Sequence, residues 1–226
     1  MKKLFYILLA AGLFFGFTSC EDDEPVTDQP QTETPENGGE DDENGNNDPE
    51  NPNPVEGDIL VVYYSFTNNT HTIVTDLLTQ IDADVVRVEP AEKGLDYAAN
   101  NYAIGSALIA AIRENPNDAS SYPAIDPVDV ELENYATVIV AAPLWWSNMA
   151  APLQTFLFNH GSEMAGKNIG LIVSSASSGI SGVEADAKRL IPEGNFLTPS
   201  LWIRSSQTSN CHAMTAEWLK NTGLIE

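Results

Sequence analysis

Ile59-Leu60-Val61-Val62-Tyr63-Tyr64-Ser65-Phe66-Thr67-Asn68-Asn69-Thr70 joins two kinds of sequence. Its first half is apolar and β-rich without alternation, the pattern of a strand buried on both faces. Its second half is small and polar, and it opens a stretch, residues 71–81, in which Ile73, Val74, Leu77, Leu78 and Ile81 recur at helical spacing. A buried strand that runs through a polar loop into a helix begins a βαβ unit.

The same alternation continues downstream. Val85-Val86-Arg87-Val88 reads as a second, more exposed strand, and residues 97–114 as a helix stopped by Asn115-Pro116-Asn117. Thr137 to Ala142 is a third strand, again wholly apolar, and Pro152 to Phe158 opens a helix. Ile169 to Val173 is a fourth strand, followed by a helix over 182–190. Phe196 to Ile203 suggests a fifth strand, and residues 210–221 close with a helix carrying Met214, Trp218 and Leu219. Strand and helix in turn at this spacing predict an α/β fold on a parallel sheet. In such sheets ligands sit beyond the carboxyl ends of the strands.

Three unusual segments lie at those ends. Ser65-Phe66-Thr67-Asn68-Asn69-Thr70 offers side-chain donors and the N–H groups of a helix start to an anion. It has no Lys or Arg, which excludes a Walker-type loop and suits a single phosphomonoester. An ordinary N-cap cluster would also use these residue types. Ala142-Pro143-Leu144-Trp145-Trp146-Ser147-Asn148-Met149-Ala150 follows the third strand. Its adjacent tryptophans cannot both enter one core, so one indole is expected to be partly exposed, as a platform for a flat ring. Ser174-Ser175-Ala176-Ser177-Ser178-Gly179-Ile180-Ser181-Gly182 follows the fourth strand, and its small residues admit close backbone approach.

Together these loops resemble the flavodoxin family, in particular its small members with a Ser-x-Thr-Gly-Asn-Thr loop, a Pro-x-Trp-Trp loop and a Ser/Gly-rich third loop. The resemblance spans residue 58 to about residue 222, with the motifs in the same order. It implies a three-layer fold with a five-stranded parallel sheet in the order 2-1-3-4-5 and helices on both faces. It also implies non-covalent FMN. By carry-over Ser65, Thr67, Asn69 and Thr70, with Asn68 between them, would form the phosphate loop. Pro143, Leu144, Trp145, Trp146 and Ser147 would border the isoalloxazine, and Ser174, Ser175, Ser178 and Gly179 its other edge.

The sequence departs from this pattern where Asn68 and Ser147 replace glycines, and where Ala176 and Ser177 stand in place of consecutive glycines. Each change is expected to add a Cβ where backbone approaches the cofactor, weakening FMN without removing a phosphate hydroxyl.

The remaining chain is of another kind. Residues 1–20, MKKLFYILLAAGLFFGFTSC, have two lysines, an apolar run and small residues before Cys20. The run from Leu4 to Phe17 is shorter than the roughly 20 residues of a spanning helix. Its end resembles a lipobox, which implies lipidation of Cys20 and anchoring to the cell envelope. Phe17 fits that motif poorly. Glu21-Asp22-Asp23-Glu24 resembles the surface-export signal of Bacteroidetes-type lipoproteins. Residues 21–56 hold 14 acidic residues and no Lys or Arg, and read as an acidic disordered tether. Residues 57–226 form the one folded domain.

That domain has 19 acidic and 8 basic residues, a net −11 of the chain's −23. Such a surface argues against nucleic acid and anionic lipid, and suits a basic redox partner. Cys211 is the one cysteine besides Cys20, so no disulfide forms within the domain. His71, His160 and His212 lack metal-ligand spacing, and no Gly-x-Ser-x-Gly elbow is present. The expected function is an FMN-dependent oxidoreductase or electron carrier, with a redox protein or a quinone as partner. A surface module that keeps the scaffold and binds another small ligand or a protein remains the alternative.

Overall fold

The computed structural model describes residues 57–226. The chain runs β1 (Ile59–Tyr63), α1 (Asn69–Leu77), β2 (Asp84–Arg87), α2 (Ala99–Glu114), β3 (Thr137–Trp145), β4 (Asn148–Met149), α3 (Ala151–His160), β5 (Asn168–Ser175), α4 (Ser181–Leu190), β6 (Asn195–Phe196), β7 (Leu201–Arg204) and α5 (His212–Asn221). The main ladder is parallel, in the order β2-β1-β3-β5 and then β6 and β7, which both pair with β5. This is the α/β architecture on a parallel sheet that the alternation predicts, in the strand order that the resemblance implies.

Two details correct that expectation. The sheet has seven strands rather than five. The fifth position, read as one strand from Phe196 to Ile203, is two short segments. Pro199 lies between them and has no N–H to give a ladder. The seventh strand is β4, which folds back antiparallel on the end of β3.

Alternation along the strands feeds two cores. Leu60, Val62, Val138, Val140, Leu171 and Val173 pack against α2, α3 and α4 through residues such as Ile109, Phe156 and Val183. Val61, Tyr63, Ile139, Ala141 and Ile172 face the other way, onto Ile73, Val74 and Leu77 of α1 and Trp218 and Leu219 of α5. The helices therefore cover both faces, and the central strands are buried on each. β2 is the edge, and Val85 on it is 48% exposed. Among the described residues no helix is long and apolar enough to cross a membrane. Residues 1–56, read above as a signal segment ending at Cys20 and an acidic tether, lie outside the described residues.

Two helix starts differ from the periodicity. α1 begins at Asn69, two residues earlier than the apolar spacing indicates, because the polar loop itself makes its first turn. α2 is irregular at its beginning, where Asn100, Asn101 and Tyr102 have φ of 51°, 57° and 62°. Asn accepts the left-handed region readily, whereas Tyr does so at a cost.

Candidate functional site

The carboxyl ends of β1, β3, β5 and β7 open onto a cavity of about 420 Å³. Thr67 and Asn69 line it from the first loop, Pro143 to Trp146 from the second, and Ser174 to Ala176 from the third. The topology thus brings three segments separated by dozens of residues to one place. Phe66, Tyr97, Tyr102, Gly105 and Ser205 complete the wall. No lining residue is charged.

The first loop is shaped by Asn68, whose φ is 63°, the left-handed conformation that a glycine would supply. Its side chain makes no capping bond. The loop is held instead by Ser65, whose Oγ accepts the His71 N–H at 3.1 Å, and by Thr70, whose Oγ1 lies 2.8 Å from Ser174 Oγ. Both hydroxyls are buried, and Ser65 and Thr70 do not line the cavity. They position the loop, while Thr67 and Asn69 face the open space. Asn69 Nδ2 donates to Thr67 Oγ1 at 3.2 Å and to Ser205 Oγ at 3.3 Å. Ser205 Oγ in turn donates to the Ser175 carbonyl at 3.2 Å. A chain of neutral hydroxyls and amides therefore runs across the mouth beside the N-terminus of α1, where the first N–H groups have no partner within the helix.

The second loop is a hairpin. Leu144 pairs with Met149 and Trp145 with Asn148, leaving Trp146 and Ser147 as a two-residue turn with φ of 46° and 66°. Both φ are positive, as a two-residue type I′ hairpin turn requires. Here too the replaced glycine sits at a left-handed position, and neither Asn68 nor Ser147 lines the cavity. The expected added Cβ against a cofactor is thus not what these two substitutions do. Their consequence is backbone conformation. Ala176 does line the cavity.

The two tryptophans separate. Trp145 is 9% exposed, with its ring in edge contact with Tyr64 and Phe66 and 5.1 Å from the Tyr97 centroid. Trp146 is 41% exposed and meets Tyr102 edge-on. Gly105 permits this arrangement, since a Cβ there would lie 3.0 Å from the Trp146 ring.

The hairpin is clamped from behind. Arg113 on α2 donates to the Trp146 carbonyl, and through Nε to Asn148 Oδ1 at 2.7 Å. Asp186 on α4 accepts from Asn148 Nδ2 at 2.8 Å and from the Met149 N–H at 2.9 Å, and Arg189 donates to its other oxygen. Gly182 lies so close that a Cβ on it would fall 1.9 Å from the Ser147 carbonyl oxygen.

In the third loop Ser175 Oγ donates to the Ser178 carbonyl at 2.9 Å and accepts from Trp202 Nε1 at 2.8 Å. Ser178 and Gly179 stand off the cavity. His71 is occupied too, its Nδ1 lying 2.7 Å from Tyr63 OH. Cys211 is buried, and that burial pushes its thiol up, the opposite of activation by the helix it precedes. Among the described residues no cluster of side chains could hold a metal ion.

The sequence reading missed Tyr97, Tyr102, Gly105 and Ser205, and gave Phe66, within the first loop, no role. Ser205 had a signal, since it directly follows the last parallel strand, where such ligands sit. The tyrosines had none, because only tertiary packing brings them to the cavity, Tyr97 against Phe66 and Trp145 and Tyr102 against Trp146.

The flavodoxin family model matches residues 58–222. Among solved structures, a protein of Bacteroides eggerthii DSM 20697 assigned as a flavoprotein superposes with a TM-score of 0.60 at 22% identity, covering 75% of this chain and 100% of that one. A second from Bacteroides uniformis ATCC 8492 gives 0.56 at 23% identity, covering 73% and 98%. A flavoprotein in complex with FMN from Lactobacillus acidophilus NCFM gives 0.55 at 18% identity, covering 70% and 99%. No curated protein matches the chain. The loops, the sheet order and the family match agree, and the chain belongs to the flavodoxin family.

Proposed function

We propose that this flavodoxin binds FMN non-covalently and works in electron transfer, or as an FMN-dependent oxidoreductase, at the cell envelope. The observation that carries the reading is the single cavity in which the neutral polar loop, the exposed indole and the small-residue loop meet. Its volume of about 420 Å³ falls in the range of small-molecule sites. The donor set fits the cofactor. Thr67, Asn69 and the α1 N-terminus would hold a phosphate without a cation, and the aromatic walls suit a flat ring. A protein of the same fold, the Lactobacillus flavoprotein, is in complex with FMN.

Bound FMN would supply one- and two-electron redox chemistry at its ring. The chain's own part is to bind, orient and exclude water. Trp145 and Phe66 form the apolar floor, Trp146 and Tyr102 the exposed rim, and Arg113 and Asp186 hold the hairpin that carries both indoles. The acidic domain supports a basic redox protein as partner, and a quinone is the small-molecule partner of choice. The motif ending at Cys20 and the acidic residues after it support a lipid anchor in the outer membrane, displayed on the surface.

The test is titration of the full chain with FMN, read as quenching of flavin fluorescence. Saturable quenching is expected below about 50 µM, a binding free energy of about −6 kcal/mol. No quenching in that range sinks the flavin reading in favour of another small ligand or a protein partner. Thr67→Ala should weaken FMN more than His71→Ala does, and equal effects would count against the phosphate-loop assignment. For the anchor, Cys20→Ala should release the protein from the membrane fraction, and unchanged fractionation would refute lipidation there.

A further inference from the structure

A second cavity, of about 200 Å³, shares no lining residue with the main one. It lies among α2, α3, α4 and the strand β4 of the tryptophan hairpin. One wall is polar. Arg113 Nε donates to Asn148 Oδ1 at 2.7 Å, and Asn148 Nδ2 to Asp186 Oδ2 at 2.8 Å. Arg189 Nη2 donates to Asp186 Oδ1 at 3.2 Å and to Gln154 Oε1 at 2.8 Å. All five residues line the cavity, so their mutual bonds set both guanidiniums at its wall. Ile109, Ile112 and Pro116 supply the apolar remainder.

The charges at this wall do not balance. Asp186 is the single acid in the lining, and it is buried and committed. Its oxygens accept from Asn148, from the Met149 N–H and from Arg189, which is its counterion. Arg113 has no counterion. Among the described residues no carboxylate pairs with it, and its bonds go to the Asn148 amide oxygen and the Trp146 carbonyl. Those bonds occupy two of its five N–H groups. Arg113 is exposed, so solutes reach it from water. A guanidinium fork without a counterion, beside a second guanidinium, suits a carboxylate, and the apolar residues suit a compact hydrocarbon body attached to it. The volume, about half that of the main cavity, leaves room for a few carbon atoms and not for a nucleotide.

We propose that this second cavity binds a small organic monocarboxylate, its carboxylate held by Arg113 and Arg189 and its apolar body against Ile109, Ile112 and Pro116. Because Arg113 also donates to the Trp146 carbonyl, the bound acid is one side chain away from the hairpin that borders the main cavity. The site goes beyond the flavin reading and does not rest on it.

Fluorine NMR titration of the full chain with trifluorobutyrate tests the proposal, with and without FMN. Trifluorobutanamide is the neutral counterpart, and inorganic phosphate is the anion without an apolar body. Saturable trifluorobutyrate binding is expected in both FMN conditions, with a dissociation constant below about 5 mM, and the amide should bind at least about tenfold more weakly. Equimolar phosphate should not displace the acid. Arg113→Gln and Arg189→Gln should each raise the trifluorobutyrate dissociation constant about tenfold, the loss of one charge-assisted pair. If either variant does not fold, the comparison of acid with amide on the parent chain decides. The proposal is overturned if no saturable binding occurs, if the amide binds as tightly as the acid, if FMN or phosphate displaces the acid, or if both variants bind like the parent. Failure of FMN to bind, with trifluorobutyrate binding retained, would remove the flavin reading and leave this one standing.

Discussion

Thr70 Oγ1 and Ser174 Oγ lie 2.8 Å apart, although 104 positions separate the two residues in the chain. Both are buried, so the contact ties the first turn of α1 to the end of β5 inside the protein. Removing one partner strands the other. Thr70→Val is expected to lower the unfolding free energy by about 1–3 kcal/mol, and Thr70→Val with Ser174→Ala by less than the sum of the two single changes. Urea denaturation of the three variants measures this. Strict additivity would show that the hydroxyls do not interact.

The two tryptophans should respond oppositely to truncation. Trp145 is packed among Tyr64, Phe66 and Tyr97, so Trp145→Ala should cost about 3–5 kcal/mol of stability. Trp146 is largely at the rim, and Trp146→Ala should cost under about 1 kcal/mol while weakening FMN binding and its fluorescence quenching. Denaturation and FMN titration on both variants separate the roles. A destabilised Trp146→Ala protein would contradict the exposed placement.

Ser147 and Asn68 both hold φ above +60°. A non-glycine residue there is strained, by roughly 1–2 kcal/mol in the general case and less for Asn. Ser147→Gly should therefore stabilise the protein by about 0.5 kcal/mol after the added unfolded-state entropy of glycine is subtracted, and Asn68→Gly should change little. Thermal melts of both variants decide it. A lower melting temperature for Ser147→Gly would mean that the hairpin is not under strain at that residue.

Burial raises the hydroxyls of Tyr64 and Tyr97 and the thiol of Cys211. Each group is neutral when protonated, so the folded state keeps its proton to higher pH than the unfolded chain does. Above about pH 8.5 for the thiol and about pH 10 for the phenols, the unfolded chain binds fewer protons than the native one, and stability must fall as pH rises. Denaturation midpoints measured from pH 8 to 11 should decline steadily, and Cys211 should resist thiol reagents until the protein unfolds. A flat profile would place these groups in water.

The sequence alone determined the class of fold and the place of the main cavity. Long apolar runs such as Ile59–Tyr64 can be buried only at the centre of a covered sheet, and loops after parallel strands must meet at one edge. It named Thr67, Asn69, Trp145, Trp146, Ser174 and Ser175, all of which line the cavity. Only the tertiary structure decided what each does. Ser65 and Thr70 look like ligands in the sequence, but their hydroxyls close internal hydrogen bonds. Asn68 and Ser147 look like obstructions to a cofactor, but neither lines the cavity, and their left-handed backbone shapes the loops whose neighbouring residues do. Tyr97 and Tyr102 carry no motif, and tertiary packing sets Tyr97 against Phe66 and Trp145, and Tyr102, in the left-handed first turn of α2, against Trp146. Periodicity records which face of an element is buried. The partner of a hydroxyl and the sign of φ depend on contacts between segments far apart in the chain, which a local pattern does not contain.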